Sequence, residues 1–199
     1  MAKSNKIIPI IPNPVLIDRV IGNIQAGLMD NVDWLDVVFG RAQRVAKIIN
    51  GKRYFTPNVY AGGTQYRGNN DYIDVSPDAN IGNFGFFWVD DPQNVGWVPK
   101  EQSTIKAPFA LIVWLDLRKV YPGQLNNRNT EALKNEILTV LNGGFWLKDG
   151  AIEINRVYEL AENVYRGFTL DEVDNQYLLH PFAGFRFEGI LSVSQPCKI

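Results

Sequence analysis

One stretch, Ala110 to Tyr121 with the sequence ALIVWLDLRKVY, constrains the fold more than any other. Its first six residues are all apolar. Leu115 and Leu117 then keep apolar spacing while Asp116, Arg118 and Lys119 appear. A strand that is apolar on both sides is covered on both faces, and one that turns one-sided is leaving the core. The stretch therefore reads as a central strand. No residue of catalytic type stands close to Asp116, Arg118 or Lys119 in sequence, so these three read as a solvent or subunit face.

The flanking segments supply the other layers. Residues 1–12 form an extended arm, because Pro9 and Pro12 exclude helix; Ile7, Ile8, Ile10 and Ile11 make it too apolar to stay free. Asn13-Pro14 is a helix start, and Leu16, Ile17, Val20, Ile21, Ile24 and Leu28 give one apolar helix face over roughly 14–29. Residues 34–40 either extend that helix or begin a strand. Asn50-Gly51 lies between two strand-like runs in 44–60, and both residue types tolerate positive φ, so a two-residue hairpin turn is expected there. A loop follows at 60–71. Strands are expected at 72–77 and 83–91, then a second loop excursion at 91–107. A second helix spans 127–144, capped by Asn129 or Thr130, with Leu133, Ile137, Val140 and Leu141 inward and Gly143-Gly144 at its end. Strand-like alternation returns at 151–160 and 182–193, around a short helix or structured loop at 169–179. The order predicts one α+β domain over 13–199: a mostly antiparallel sheet with two main helices packed on one face.

Several function classes lack their residues. His180 is the only histidine and Cys197 the only cysteine, so no internal disulfide can form, and a zinc site would lack its usual ligands. Neither residue stands in a nucleophile motif; His180 reads as a hydrogen-bonded turn residue beside Pro181. The acidic groups Asp71, Asp74 and Asp78, Asp90 and Asp91, and Asp171, Glu172 and Asp174 read as solvated loop charge. The last lacks the glycine and closing glutamate of a calcium loop. AGGTQYRG, 61–68, lacks the lysine of a phosphate-binding loop and no helix follows it. The net charge is −1, with no basic block of five residues, so no DNA-gripping stripe is visible unless the fold assembles one. No segment has about 18 continuous apolar residues, and no signal peptide is evident. No membrane partner, metal or cofactor is expected.

The layout resembles a known family. A helix at 14–29 precedes a strand meander; an excursion precedes FALIVWLDLRKV; the helix NTEALKNEILTVLNGG follows, and HPFAGFRFEGILSV closes the chain. With WLDVVFGRA, NFGFFWVDDPQ and AENVYRGFTLDEVDNQYLLHPFAGFRFEG, this is similar to the tail terminator or tail-completion proteins of tailed bacteriophages, of the kind seen in phages of gut Bacteroidetes. The similarity covers most of 14–193 and rests on element order and texture. It implies a catalytically inactive subunit of a homo-oligomeric ring, sixfold or a multiple, at the virion neck or tail. Such a ring is assembled in the host bacterial cytoplasm, contacts other neck and tail proteins, and lets DNA pass through its lumen without specific binding. The loops at 60–71 and 91–107 are longer than the compact family core, which leaves a related ring protein open.

On that reading the interface belongs to Ile7, Ile8, Ile10 and Ile11 of the arm, to Tyr66, and to Trp88 and Trp97, with Trp97 the leading anchor. Two other readings stand beside it. Surface-capable Trp88, Trp97 and Trp146 suit a carbohydrate- or ligand-binding β-rich module, and scattered carboxylates suit a hydrolase.

Overall fold

A computed structural model describes residues 8–62, 71–98, 102–124, 127–143, 150–169 and 178–196. The elements run α1 (Leu16–Asn31), β1 (Val37–Arg41), β2 (Gln43–Ile49), β3 (Lys52–Tyr60), β4 (Tyr72–Asp74), β5 (Phe84–Val89), β6 (Asn94–Val98), β7 (Gln102–Asp116), α2 (Leu117–Val120), α3 (Thr130–Asn142), β8 (Gly150–Tyr158), α4 (Ala161–Val164) and β9 (Phe182–Pro196). The main sheet has the order β1-β5-β7-β9-β8, and β6 pairs with β7 beyond the end of β5. Only β1 and β5 pair in parallel. A smaller antiparallel sheet has the order β2-β3-β4. The fold is α+β and mostly antiparallel, as expected.

The apolar run of β7 is explained by two cores, one on each face. Leu111, Val113 and Leu115 join Phe185, Phe187 and Leu191 of β9 beneath both long helices, with Ile21, Ile24 and Leu28 of α1 and Leu133, Ile137 and Leu141 of α3. The alternate residues Ala110, Ile112 and Trp114 face the other way. There they meet Phe84 and Phe86 of β5, and this layer is closed by Val59 of β3, Val75, Val164 and Tyr165. Trp114 is fully buried, 5.1 Å from the Phe182 ring. The strand leaves the core where Asp116 begins α2.

Local signals hold in several places. Asn50 and Gly51 have φ of +51° and +77°, the positive pair a two-residue turn requires, and β2 and β3 pair from Ile49↔Lys52 to Gln43↔Asn58. Asn129 caps α3, its side chain accepting from the Ala132 N–H. Residues 34–40 contain the start of β1, which resolves the alternative in favour of a strand.

Two expectations are corrected. The first helix begins at Leu16, with Val15 at its N-cap position, so Asn13 is no cap; its φ of +50° is outside the extended region a cap residue adopts. The segment 91–107 is no loop excursion. β6 pairs with the first third of β7, in register from Asn94↔Lys106 to Val98↔Gln102, on the edge of β7 that carries β5 further along. β5 and β6 thus act as one strand interrupted at 90–93, where Pro92 lacks the N–H that a ladder needs.

Candidate functional site

The residues expected to form an interface are divided by the structure. Ile7 and Tyr66 lie outside the described residues, as does most of the loop 60–71. Ile8 packs against the helix-side core. Pro9 is buried, and its carbonyl accepts from Gln25 Nε2 of α1 at 3.3 Å. Ile10, 37 % exposed, lies over Gly22, and Ile11 lines a shallow cleft with Tyr60 and Tyr72. The described part of the arm is therefore strapped to its own domain. Trp88 is half-buried, with its ring 5.1 Å from Phe168 in an edge contact. Register puts it opposite Ala110, on the face that residues 164–168 cover. Trp97 stands opposite Ser103 in the β6–β7 ladder.

The charged end of β7 is also corrected. Asp116 is 3 % exposed rather than solvent-facing. Its carboxylate accepts from the Arg118 backbone N–H at 3.0 Å and from Arg118 Nη2 at 2.7 Å. The Arg118 side-chain bonds, outweighing burial, hold the carboxyl below its usual range. The Asp116 N–H donates to Asn83 Oδ1 at 2.8 Å, and Asn83 Nδ2 donates to the Trp34 carbonyl at 2.9 Å. Lys119 donates to the Ala79 carbonyl. These groups lock the end of the central strand to the 34–36 and 79–83 turns. They make a joint with no arrangement for proton transfer.

Other expected acidic groups are also occupied locally. Burial raises the Asp74 pKa, but hydrogen bonds from Lys47 and Ser76 outweigh it and the net shift is downward. Asp78 closes a turn onto the Asn80 N–H. Asp171, Glu172 and Asp174 lie outside the described residues. Among the described residues, no three His, Cys, Asp or Glu are grouped to hold a metal ion, and no helix is long and apolar enough to cross a membrane. His180 sits in the turn before β9.

Two surfaces that sequence reading missed stand out. The first is the β2–β3 hairpin. Between residues 37 and 70 the chain has six Lys and Arg and no Asp or Glu; with 20 cations and 21 acids overall, the remainder carries 14 and 21, a net of −7. The cations are spread singly, so no basic block betrayed them, yet the hairpin gathers Arg44, Lys47, Lys52 and Arg53, with Arg41 at the end of β1 just before it. Arg41 reaches Asp18 and Lys47 reaches Asp74. Arg44 and Arg53 lie over the Phe55 ring, at 3.6 and 5.0 Å from its centroid. Among the described residues, Arg44, Lys52 and Arg53 meet no carboxylate. Ile48 and Ile49 stand at the tip, 79 % and 52 % exposed.

The second surface is a groove of about 240 Å³ between α3 and β8, lined by Glu131, Lys134, Leu138, Val157 and Glu159 among others. Lys134 bridges Glu131 and Glu159 at 2.5 and 2.8 Å, and burial of the ammonium is outweighed by these two partners, so its pKa is raised. Val157 and the adjoining Leu160 are 39 % and 64 % exposed, and Glu162 follows. The groove is thus apolar at its wall and acidic at its rim.

No protein-family model matches the sequence, and no curated protein matches it.

Proposed function

We propose that the protein is a structural ring subunit of a tailed-bacteriophage neck or tail, a tail terminator or completion protein, without catalytic activity or cofactor. It joins tail to head by contacts with itself and with other neck and tail proteins, and DNA passes through the ring it forms. One observation carries the reading: the α+β layout of helices on one face of an antiparallel sheet. An N-terminal helix and a second long helix share one face of an antiparallel sheet whose two longest strands, β7 and β9, pair along all 15 residues. The charged groups of the central strand fit this role, since they are spent on internal joints. For the ligand-binding alternative, Trp88 is only half exposed, its ring against Phe168.

An early stop codon in the gene tests the reading. Particles made without the protein should separate into filled heads and unattached or over-long tails, and supplying the protein in trans should restore infectivity. Normal infectious particles lacking the protein would overturn it. So would turnover of a substrate by the isolated chain that is lost on a single Asp or Glu substitution with folding intact.

A further inference from the structure

We infer that the β2–β3 hairpin of one copy docks into the α3–β8 groove of a second copy, a head-to-tail contact. The inference rests on the ring reading only for the closure of this contact into a ring.

The two surfaces are complementary, and one chain cannot bring them together. The hairpin follows β1, at one edge of the main sheet, and belongs to the small sheet on the face opposite the long helices. The groove lies at the other edge, between β8 and a helix of the helix-bearing face. Surfaces on opposite edges make a heterologous interface, the kind that closes into rings or runs on as filaments.

The charges are complementary overall: Glu131 and Glu159 share the single cation Lys134, which leaves this side of the groove net acidic. Ile48 and Ile49 are apolar residues that a solvated turn does not need, and Leu138 and Val157 offer apolar wall, with exposed Leu160 adjoining. Lys52 and Arg53 flank the tip on successive strand positions, so they project to opposite faces of the hairpin. Glu131 and Glu159 stand on the two sides of the groove, one from α3 and one just past β8, and Glu131 is mostly exposed. Arg44 and Arg53 are held over Phe55, which pre-orders them before contact. An interface core wants apolar groups within a charged rim, and the two exposed isoleucines at the apex of this basic hairpin have that arrangement. The −7 left outside residues 37–70 supplies the attraction that brings copies together in register.

The test uses the full-length chain with Cys197→Ser. Ile49→Cys in one preparation and Val157→Cys in another, mixed under mild oxidation, should give a cross-linked dimer. Both substitutions in one chain should give a ladder of multimers. Ile49→Cys with Asn142→Cys, outside the groove lining, is the control. By sedimentation, the pair Lys52→Glu and Arg53→Glu should weaken self-association at least about tenfold, as should Glu131→Lys with Glu159→Lys; mixing the two reversed chains should restore it. Ile49, Lys52, Arg53, Glu131, Asn142, Val157 and Glu159 are at the surface, and the cross-link remains decisive if the groove reversal harms folding.

Cross-linking no better than the control, or a reversed hairpin that leaves self-association unchanged, overturns the inference. If the reversed hairpin instead loses retention of a 30-base-pair DNA duplex, or of phosphatidylglycerol vesicles, while self-association persists, the hairpin serves a polyanion and the inference falls. Failure of the contact while stop-codon particles still lack joined tails leaves the ring reading standing. A confirmed contact with normal stop-codon particles removes the phage role alone.

Discussion

Replacing Ile137 with alanine tests the helix-on-sheet core at its centre. Ile137 is fully buried on α3, in the cluster shared with α1, β7 and β9. The change deletes three carbons. At about 0.8 kcal/mol per buried methylene, the transfer loss is about 2.4 kcal/mol. Two long helices and a paired sheet surround the site, so it collapses poorly and the cavity adds to the loss, for a total of about 3–4 kcal/mol. In a chain this long each kcal/mol moves the melting midpoint by about 2–4 °C, so the expected drop is roughly 6–16 °C. Thermal unfolding followed by far-ultraviolet circular dichroism, with calorimetry to check two-state behaviour, reads it directly. Leu138→Ala is the internal contrast: Leu138 is half-buried at the groove, so its midpoint should fall less while self-association weakens. A drop below about 2 °C for Ile137→Ala, or a folded Ile137→Lys protein, would refute the packing of α3 on the sheet.

Gly51→Val should cost roughly 1–2 kcal/mol, because a β-branched residue is strained at φ +77° even though the space around Gly51 is open; an unchanged midpoint would contradict the turn. Tyr165→Phe should leave stability unchanged or raise it, since the buried hydroxyl has no hydrogen-bond partner among the described residues; burial first, and Asp74 second, push its pKa well up. A clear loss would reveal a partner for that oxygen. The Asp116 carboxyl is held below its ordinary value of 3.8, so its ionised form favours the folded state. That contribution is fully present above 3.8 and is lost as pH falls through the lower folded value. The stability gap between wild type and Asp116→Asn should therefore narrow below pH 3.8, and a gap constant down to pH 2 would refute the assignment.

Sequence was most informative where one residue dictates one local geometry. Asn50 and Gly51 announced their turn through tolerance of positive φ, and Asn129 announced its helix through a side chain that caps. The run 110–115 announced double burial, but which face each residue took depended on pairing with β5 and β9. Local rules failed where distant contacts decide. Asn13-Pro14 has the composition of a helix start, yet the Gln25 bond to the Pro9 carbonyl and the packing of Ile8 fix how the arm approaches α1. The segment 91–107 read as a loop excursion, but β7 was long enough to carry a second pairing segment alongside it. Asp116 looked solvated because the residue that meets its backbone, Asn83, lies 33 positions away. The hairpin cations went unread because single charges at strand spacing form a patch only once β2 and β3 pair.

The position of β9 has a consequence for how the chain is made. Among the described residues it is the last strand in chain order, yet it lies between β7 and β8 and bonds to both. A ribosome delivers β7 and β8 long before the strand that joins them. Until then the apolar edge of β7 has no neighbour on that side, and β8 has nothing to pair with. Completing the sheet means inserting β9 between two waiting partners, with pairings such as Gln102↔Pro196 that close very long loops. Such non-local pairing is slow, and the open edge of β7 is a hazard while it lasts. The arrival of β9 is thus the step that makes the sheet whole.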